Sequence, residues 1–87
     1  MSDTRPRLIT CFSAVFPDLA EAQIPSATVS SVQTWDSIAM LNLVNVIEEE
    51  FKIEVDFDAI PELDSFAKFL EYVEQLRSKE VGSGKDA

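Results

Sequence analysis

The sequence predicts an all-α fold: a small four-helix bundle of three main helices and one short helix, with a long first loop. In three stretches, apolar residues recur at the spacing of an amphipathic helix. Both glycines of the 87-residue chain lie near its C-terminus, whereas a sheet-rich fold needs glycine in its tight turns. The length and the 46% hydrophobic content suit one small domain with its own core. We place this domain at residues 1–77, followed by a polar, mobile tail at residues 78–87.

The first helix is predicted from about Thr4 to Phe16, where Leu8 and Phe12 follow helical spacing. Pro17 marks its end or a kink in it, because proline removes a backbone donor. Cys11 lies inside this helix with no evident cation beside it to activate the thiol, so we interpret it as a packing residue.

The connection that follows, residues 18–35, is rich in Ser, Thr and Pro. Connections this long are uncommon in a small domain unless they are functional or disordered. We predict an ordered loop, because apolar residues along it can pin it to the helices. These residues are Leu19, Ile24, Val29, Val32 and Trp35.

The second helix is predicted from about Ser37 to Phe51, a stretch without Gly or Pro. Glu48 to Glu50 lie near its C-terminus, where the helix dipole favours cations, so helix stability alone does not explain them. A solvated face and a docking surface both remain open for these glutamates. Ile38 and Leu41 fall on the polar side of the helix. They either form an exposed docking patch or pack under the long loop.

The segment "KIEVDFDAIPEL", residues 52–63, alternates apolar and polar residues over its first half. This pattern is typical of a strand, but the strand would have no partner. We therefore predict an extended connector that leads into a short helix near Ala59 to Leu63. The last helix is predicted from Asp64 or Ser65 to about Arg77, with a continuous apolar stripe along one face.

The formal net charge is −9, from 16 acidic and 7 basic residues. This balance disfavours binding to nucleic acids and to anionic membranes, and it favours partners with basic surfaces. No apolar run is long enough to insert across a bilayer. The single cysteine and the lack of a signal-peptide pattern predict a cytoplasmic location.

Catalytic and metal-binding chemistry is poorly supported by the composition. The chain has no histidine, so a Ser-His-Asp triad is impossible, and one cysteine is too few for a zinc site. A calcium loop beginning at Asp56 would need Gly and Glu where Pro61 and Ala67 stand. We expect no catalytic residue and no metal site, so the chain is not expected to be an enzyme.

The stretch "DSIAMLNLVNVIEEEFKIEV", Asp36 to Val55, resembles the signature of acyl carrier proteins and the related peptidyl carriers. That signature is an Asp-Ser-Leu, an apolar helix, a glutamate cluster, a phenylalanine and a short alternating segment. "LDSFAKFLEYV" is similar to the final helix of the family, and the first helix and long loop also fit. The resemblance covers most of the chain and implies an acyl-carrier-protein-like bundle, with residues 1–77 as the carrier domain.

The resemblance implies that Ser37 accepts a covalent 4′-phosphopantetheine arm from coenzyme A, attached by a separate phosphopantetheinyl transferase. The thiol of the arm would carry an acyl or aminoacyl group as a thioester. Asp36 would cap the helix beside the attachment site. Other implied partners are a ligase that loads the acyl or aminoacyl group and downstream synthase or transferase enzymes with basic docking surfaces. The implied partner-binding residues are Ile38, Leu41, Asn42, Asn45, Glu48 and Glu49.

Several residues depart from the family pattern. Ile38 replaces the usual leucine, and Ala39, Asn42 and Asn45 stand where carriers of fatty-acid synthesis often have acidic or larger apolar residues. A specialised polyketide, nonribosomal-peptide or modified-lipid pathway is therefore favoured. We expect a freestanding monomer, with a carrier domain of a larger synthase as one alternative. The other alternative is a non-carrier helical interaction module that uses the same acidic helix face.

Overall fold

The computed structural model describes residues 3–86, with side chains described as far as Ser78. It confirms the all-α class. Three α-helices are connected by segments that contain two short 3₁₀ helices. The helices are α1 (Thr4–Val15), a first 3₁₀ helix (Glu21–Ser26), α2 (Ser37–Phe51), a second 3₁₀ helix (Phe57–Glu62) and α3 (Phe66–Asp86).

One helix was not predicted, and two helix boundaries differ from the prediction by more than one residue. The first 3₁₀ helix lies within the predicted loop, so residues 3–86 contain five helical elements rather than four. The second begins at Phe57, before the predicted Ala59, because the Asp56 side chain accepts a hydrogen bond from the Asp58 N–H (3.0 Å) and caps it. α3 extends beyond the predicted end near Arg77, through a stretch without proline. The mobility of residues 78–87 stays a prediction, since most of their side chains lie outside the described residues.

The core is centred on the aromatic ring of Phe12, which α1 directs toward the other elements. Its ring centroid lies 5.5 Å from that of Trp35, 5.1 Å from that of Phe66 and 5.7 Å from that of Phe69, all in edge-to-face geometry. Such pairs are favourable because the positive ring edge meets the negative ring face. Phe12 thereby joins the long loop and α3 to α1.

The long loop is ordered against this core. Ile24, Val32 and Trp35 are buried and Leu19 is partly buried, which confirms the prediction that they pack the loop against the helices. Val29 does not share this role, because its side chain is exposed.

A backbone bridge ties the loop to the start of α3. The Val29 N–H donates to the Asp64 carbonyl (2.9 Å), and the Phe66 N–H donates to the Ala27 carbonyl (3.0 Å). These two bonds form an isolated antiparallel bridge. Val29 is the first residue of the turn that follows this bridge, in which the Ser31 and Val32 N–H groups donate to the Thr28 carbonyl (3.1 Å and 3.0 Å), and its side chain is exposed there.

α2 ends in a left-handed turn at Lys52 (φ 55°, ψ 47°), which reverses the chain into the connector. Arg7 of α1 lies at this helix end. Its Nη2 donates to the Glu50 carbonyl (2.6 Å), and its Nε donates to Glu50 Oε2 (2.7 Å). A cation therefore meets the negative end of the α2 dipole, although none stands in the last turn of α2 itself.

Within the part of the chain that the structure describes, no helix is both long enough and apolar enough to cross a membrane. The connector, residues 53–56, is extended but is not part of a strand, as predicted. It leads directly from the end of α2 to the second 3₁₀ helix. It therefore positions residues that lie beside the exposed face of α2.

Candidate functional site

Asp36 is the N-cap of α2. Its backbone is extended (φ −107°, ψ −169°), and its Oδ1 accepts a hydrogen bond from the Ala39 N–H at 2.9 Å. Its carbonyl also accepts the first intrahelical bond, from the Met40 N–H (2.8 Å). Asp36 thus satisfies backbone donors that a helix start otherwise leaves unpaired.

Ser37 is the first residue of α2, and its side chain is exposed. Because Asp36 performs the capping, the Ser37 hydroxyl is not used by the helix. Within the described residues it has no hydrogen-bond partner. The hydroxyl is therefore accessible to a reagent in solution, at the positive end of the α2 dipole.

The second Asp-Ser pair, Asp64-Ser65, lies one residue earlier relative to its helix than the first pair does. Ser65 Oγ accepts a hydrogen bond from the Lys68 N–H (3.2 Å), and α3 begins at the next residue, Phe66. Here the serine is the cap, and Ser65 is half-buried. Asp64 precedes the cap, and its carbonyl accepts the Val29 N–H in the loop bridge. The two serines therefore occupy non-equivalent positions, and Ser37 alone has a free, exposed hydroxyl.

An open groove of about 610 Å³ lies beside Ser37. Its base is apolar and includes the buried Trp35 and Leu63, and Met40 of α2 forms one side. The indole Nε1 of Trp35 is buried without a hydrogen-bond partner among the described residues. The remaining lining is Val29, Asp36, Leu41, Ile60, Pro61 and Asp64.

Ile38 and Leu41 are exposed on the outer face of α2. The exposed fraction is 71% for Ile38 and 51% for Leu41. Their packing under the long loop, one of the two explanations left open by the sequence, is therefore excluded. Large exposed apolar side chains near one another are a feature of interaction surfaces.

The polar residues predicted for partner binding lie along the same helix but are not equivalent. Asn42, Asn45 and Glu49 are exposed. Glu48 is half-buried, and its Oε2 accepts a hydrogen bond from the Val55 N–H (2.8 Å). The Glu48 carboxylate thus holds the connector against α2, a role that the sequence did not predict.

A second open groove, of about 620 Å³, lies between α2 and the connector. It contains Phe57, whose side chain is 75% exposed, together with Glu54 and Asp56. None of these three residues was predicted from the sequence to belong to a site. The signal was present in "EVDFD", where one phenylalanine stands between two aspartates in a segment that has no strand partner. The groove is also lined by Leu41, Val44, Asn45, Glu48 and Val55.

Cys11 is buried in α1, and its surroundings suppress ionisation. Burial raises the pKa of the Cys11 thiol to about 11, and the nearby Glu50 carboxylate adds to this effect. A thiol held neutral is a poor nucleophile. The described residues also contain no group of three or more His, Cys, Asp or Glu side chains placed to hold a metal ion.

Comparisons of the chain with protein-family models, with curated proteins and with solved structures found no match. The observations that bear on function are therefore the geometry at the start of α2, the two grooves beside it and the resemblance of residues 36–55.

Proposed function

We propose that this chain is a carrier protein in which Ser37 bears a 4′-phosphopantetheine arm and presents an acyl or aminoacyl thioester to partner enzymes. The observation that carries the proposal is the state of the Ser37 hydroxyl, which is exposed and free of any structural bond. The capping of α2 by Asp36 makes this possible, since a capping serine would have its oxygen engaged.

The surroundings of Ser37 suit a phosphodiester. A helix N-terminus attracts anions, because its first N–H groups point outward and its dipole end is positive. Asp36 occupies only the Ala39 N–H among the donors of the first turn. The N–H groups of Ser37 and Ile38 precede the first intrahelical bond, which the Met40 N–H makes. Ser37 would therefore hold the phosphate covalently, with the first turn of α2 stabilising its charge.

Attachment needs a donor and an enzyme from outside this chain. The Ser37 oxygen forms a bond to the pantetheine-bearing phosphorus of coenzyme A, and the pyrophosphate bond of coenzyme A breaks. The adenosine bisphosphate leaves, and the serine proton passes to a base of the phosphopantetheinyl transferase, which uses magnesium. The arm supplies a thiol that holds the acyl group as a thioester, and this chain supplies position and recognition.

The finer structural assignment follows from the same proposal. The arrangement of α1, α2 and α3 with a long first loop is consistent with an acyl-carrier-protein-like bundle of residues 1–77. The exposed face with Ile38, Leu41 and Glu49 would meet loading ligases and downstream synthase or transferase enzymes. We further propose that the protein is a monomer, that it lies in the cytoplasm and serves a specialised pathway, and that it catalyses no reaction itself.

A second function is supported by the exposure of three large apolar side chains, Ile38, Leu41 and Phe57. A helical interaction module without any arm would use the same surface for docking alone. The two functions differ at Ser37, because only the carrier requires its hydroxyl.

The proposal is tested by mass spectrometry of the intact protein after incubation with coenzyme A, magnesium and a promiscuous phosphopantetheinyl transferase. We expect one phosphopantetheine to be added. Ser37→Ala should abolish the addition, because it removes the hydroxyl oxygen that we propose bonds to the phosphorus.

The matched control is Ser65→Ala, which removes the serine of the second Asp-Ser pair. It should weaken the capping of α3 by about 1 kcal/mol and still allow the full mass gain. The carrier function is ruled out if the wild-type protein gains no mass, and attachment at Ser37 is ruled out if Ser37→Ala gains as much as the wild type.

A further inference from the structure

Phe57 is the most exposed large apolar side chain in residues 3–78, and the backbone that presents it is held in place. The Val55 N–H donates to Glu48 Oε2 (2.8 Å), and the Asp56 N–H donates to the Tyr72 hydroxyl (3.0 Å). Both anchors directly precede Phe57. Its exposure is therefore imposed by an ordered connector and is not the consequence of a loose segment.

Phe57 and Leu41 line the same groove, which we call the connector groove. Leu41 belongs to α2 and Phe57 to the second 3₁₀ helix, so the two exposed side chains come from different elements. Val44 and Val55, both buried, line the groove together with them. Apolar side chains from different elements that line one groove can surround a single apolar side chain of a partner, which is how most interface energy is concentrated.

The charges of the connector groove define the partner further. Among the residues whose side chains are described, three acidic ones line it, Glu48, Glu54 and Asp56, and no Lys or Arg does. Glu48 is half-buried and accepts the Val55 N–H, whereas Glu54 and Asp56 are exposed, with Asp56 Oδ1 also accepting the Asp58 N–H. Acidic groups beside an apolar contact favour a partner with cationic groups in the matching positions.

We propose that the connector groove binds a protein segment with one large apolar side chain, which contacts Leu41 and Phe57, flanked by Lys or Arg residues that face Glu54 and Asp56. A second copy of this chain is disfavoured, because each copy carries a net charge of −9. The inference deepens the docking role proposed above for Leu41 and Phe57, because it names the chemistry of the partner; it rests on that role and does not depend on an arm at Ser37.

The probe is a synthetic amphipathic helical peptide built only from Leu and Lys, titrated into the ¹⁵N-labelled protein and followed by amide chemical shifts. We expect saturable shifts at Leu41, at Asn45 and in residues 54–57. A peptide with Ser in place of Leu keeps the charge and should bind much more weakly. A peptide with Glu in place of Lys keeps the apolar face and should not bind.

Two pairs of variants separate the groove from general attraction to an acidic protein. Phe57→Ser should weaken the Leu/Lys peptide about tenfold, the loss expected for an uncovered aromatic contact, whereas Val29→Ser, at an exposed valine outside the groove, should not. Glu54→Lys should weaken it more than Glu74→Lys, which makes the same charge change on an exposed site of α3. Phe57 is exposed, so its substitution leaves the core intact.

Three results would overturn the inference: shifts that map away from the connector groove, equal affinities of Phe57→Ser and Val29→Ser, or equal affinities of Glu54→Lys and Glu74→Lys. Self-association through Phe57, seen as a wild-type dimer that Phe57→Ser dissociates in sedimentation, would also overturn it in favour of a second copy. None of these results changes the mass gain at Ser37, so this inference and the carrier proposal fail independently.

Discussion

The two Asp-Ser pairs differ in which of their residues caps the helix that follows. At the second pair, the Asp64 carbonyl is bound by the Val29 N–H of the loop bridge, so the chain is still extended there and the helix starts one residue later. Ser65 then takes the capping position. At the first pair no such bridge forms, Asp36 caps, and Ser37 enters the helix with its hydroxyl free. The serine is therefore the cap at the pair that carries this bridge, and the aspartate is the cap at the other pair.

Cys11 is a residue whose burial has a measurable pH dependence. Its thiol has a pKa of about 11 in the folded chain, against a usual value of 9.0. Between these two pH values the unfolded chain loses the thiol proton and the folded chain keeps it. The ionisation of Cys11 should therefore leave the free energy of unfolding unchanged well below pH 9.0 and should lower it as the pH rises toward 11.

The measurement is urea unfolding followed by the fluorescence of Trp35 across this alkaline range, for the wild type and for Cys11→Ala. The variant is less stable at neutral pH because it leaves a small cavity, but the alkaline decline should be shallower. Alkylation of Cys11 at mildly alkaline pH should also be slow until urea is added. Fast alkylation of the native protein would contradict the burial of this thiol.

At the scale of the elements, the glutamates at the end of α2 divide into different roles. Glu50 pairs with Arg7 and anchors α1 to this helix end, and Glu48 holds the connector through the Val55 N–H. Glu49 is exposed. Contacts within the chain therefore account for two of the three glutamates, whereas Glu49 makes no hydrogen bond or ion pair with the described residues.

Glu48→Ala tests the structural role of the first of these glutamates. It leaves the Val55 N–H without its acceptor and should lower the free energy of unfolding by about 1–2 kcal/mol, as expected for a half-buried, charge-assisted hydrogen bond. Glu48→Gln keeps an acceptor oxygen and should lose less. Glu49→Ala is the matched control at an exposed position and should change stability by less than about 0.5 kcal/mol. Urea unfolding provides the comparison, and equal losses for Glu48→Ala and Glu49→Ala would show that the bond to Val55 contributes nothing.

Local periodicity predicted the helical elements well. α2 is bounded as its apolar pattern and its Asp-Ser start indicated, and α1 ends one residue before the predicted Phe16. The first 3₁₀ helix was missed because a short helix that contains Pro25 has no 3.6-residue stripe. The hydrogen bonds that hold the connector beside its groove were missed for another reason. The bonds of Val55 and Asp56 depend on the reversal at Lys52 and on the approach of Tyr72 from α3, which no local pattern encodes.

At the scale of the whole molecule, the two ends of the domain are joined around Phe51. Arg77 of α3 donates to Asp3 Oδ1 (3.0 Å) and to the Thr4 hydroxyl (2.8 Å). The guanidinium carbons of Arg7 and Arg77 lie 4.7 Å and 5.3 Å from the centre of the Phe51 ring. One aromatic side chain at the end of α2 is therefore contacted by cations from both α1 and α3.

These contacts differ in their solvent exposure, so added salt should weaken some of them more than others. The hydrogen bond from Arg77 holds the pKa of the Asp3 carboxyl below its usual 3.8, so the contribution of Asp3 persists above that pH and is lost as the pH falls through the lowered pKa. The Asp3 side chain is exposed, however, and exposed ion pairs contribute little and are screened by salt. The contacts of Arg77 with Thr4 and with the Phe51 ring are partly shielded and should be less sensitive.

Removing each partner in turn should reveal which contact stabilises the junction of the three helices. Asp3→Asn should cause a small loss of stability in low salt and almost none in high salt. Arg77→Ala should cost about 1–2 kcal/mol in both, because it removes the ring contact and a partly buried hydrogen bond to Thr4. Arg5→Ala, at an exposed arginine of α1, controls for the loss of one positive charge from a chain of net charge −9. Urea unfolding at both salt concentrations measures all three. Were Arg77→Ala to match Arg5→Ala, or to recover fully in high salt, the junction would be held by general electrostatics and the packing of Arg77 on Phe51 would contribute nothing.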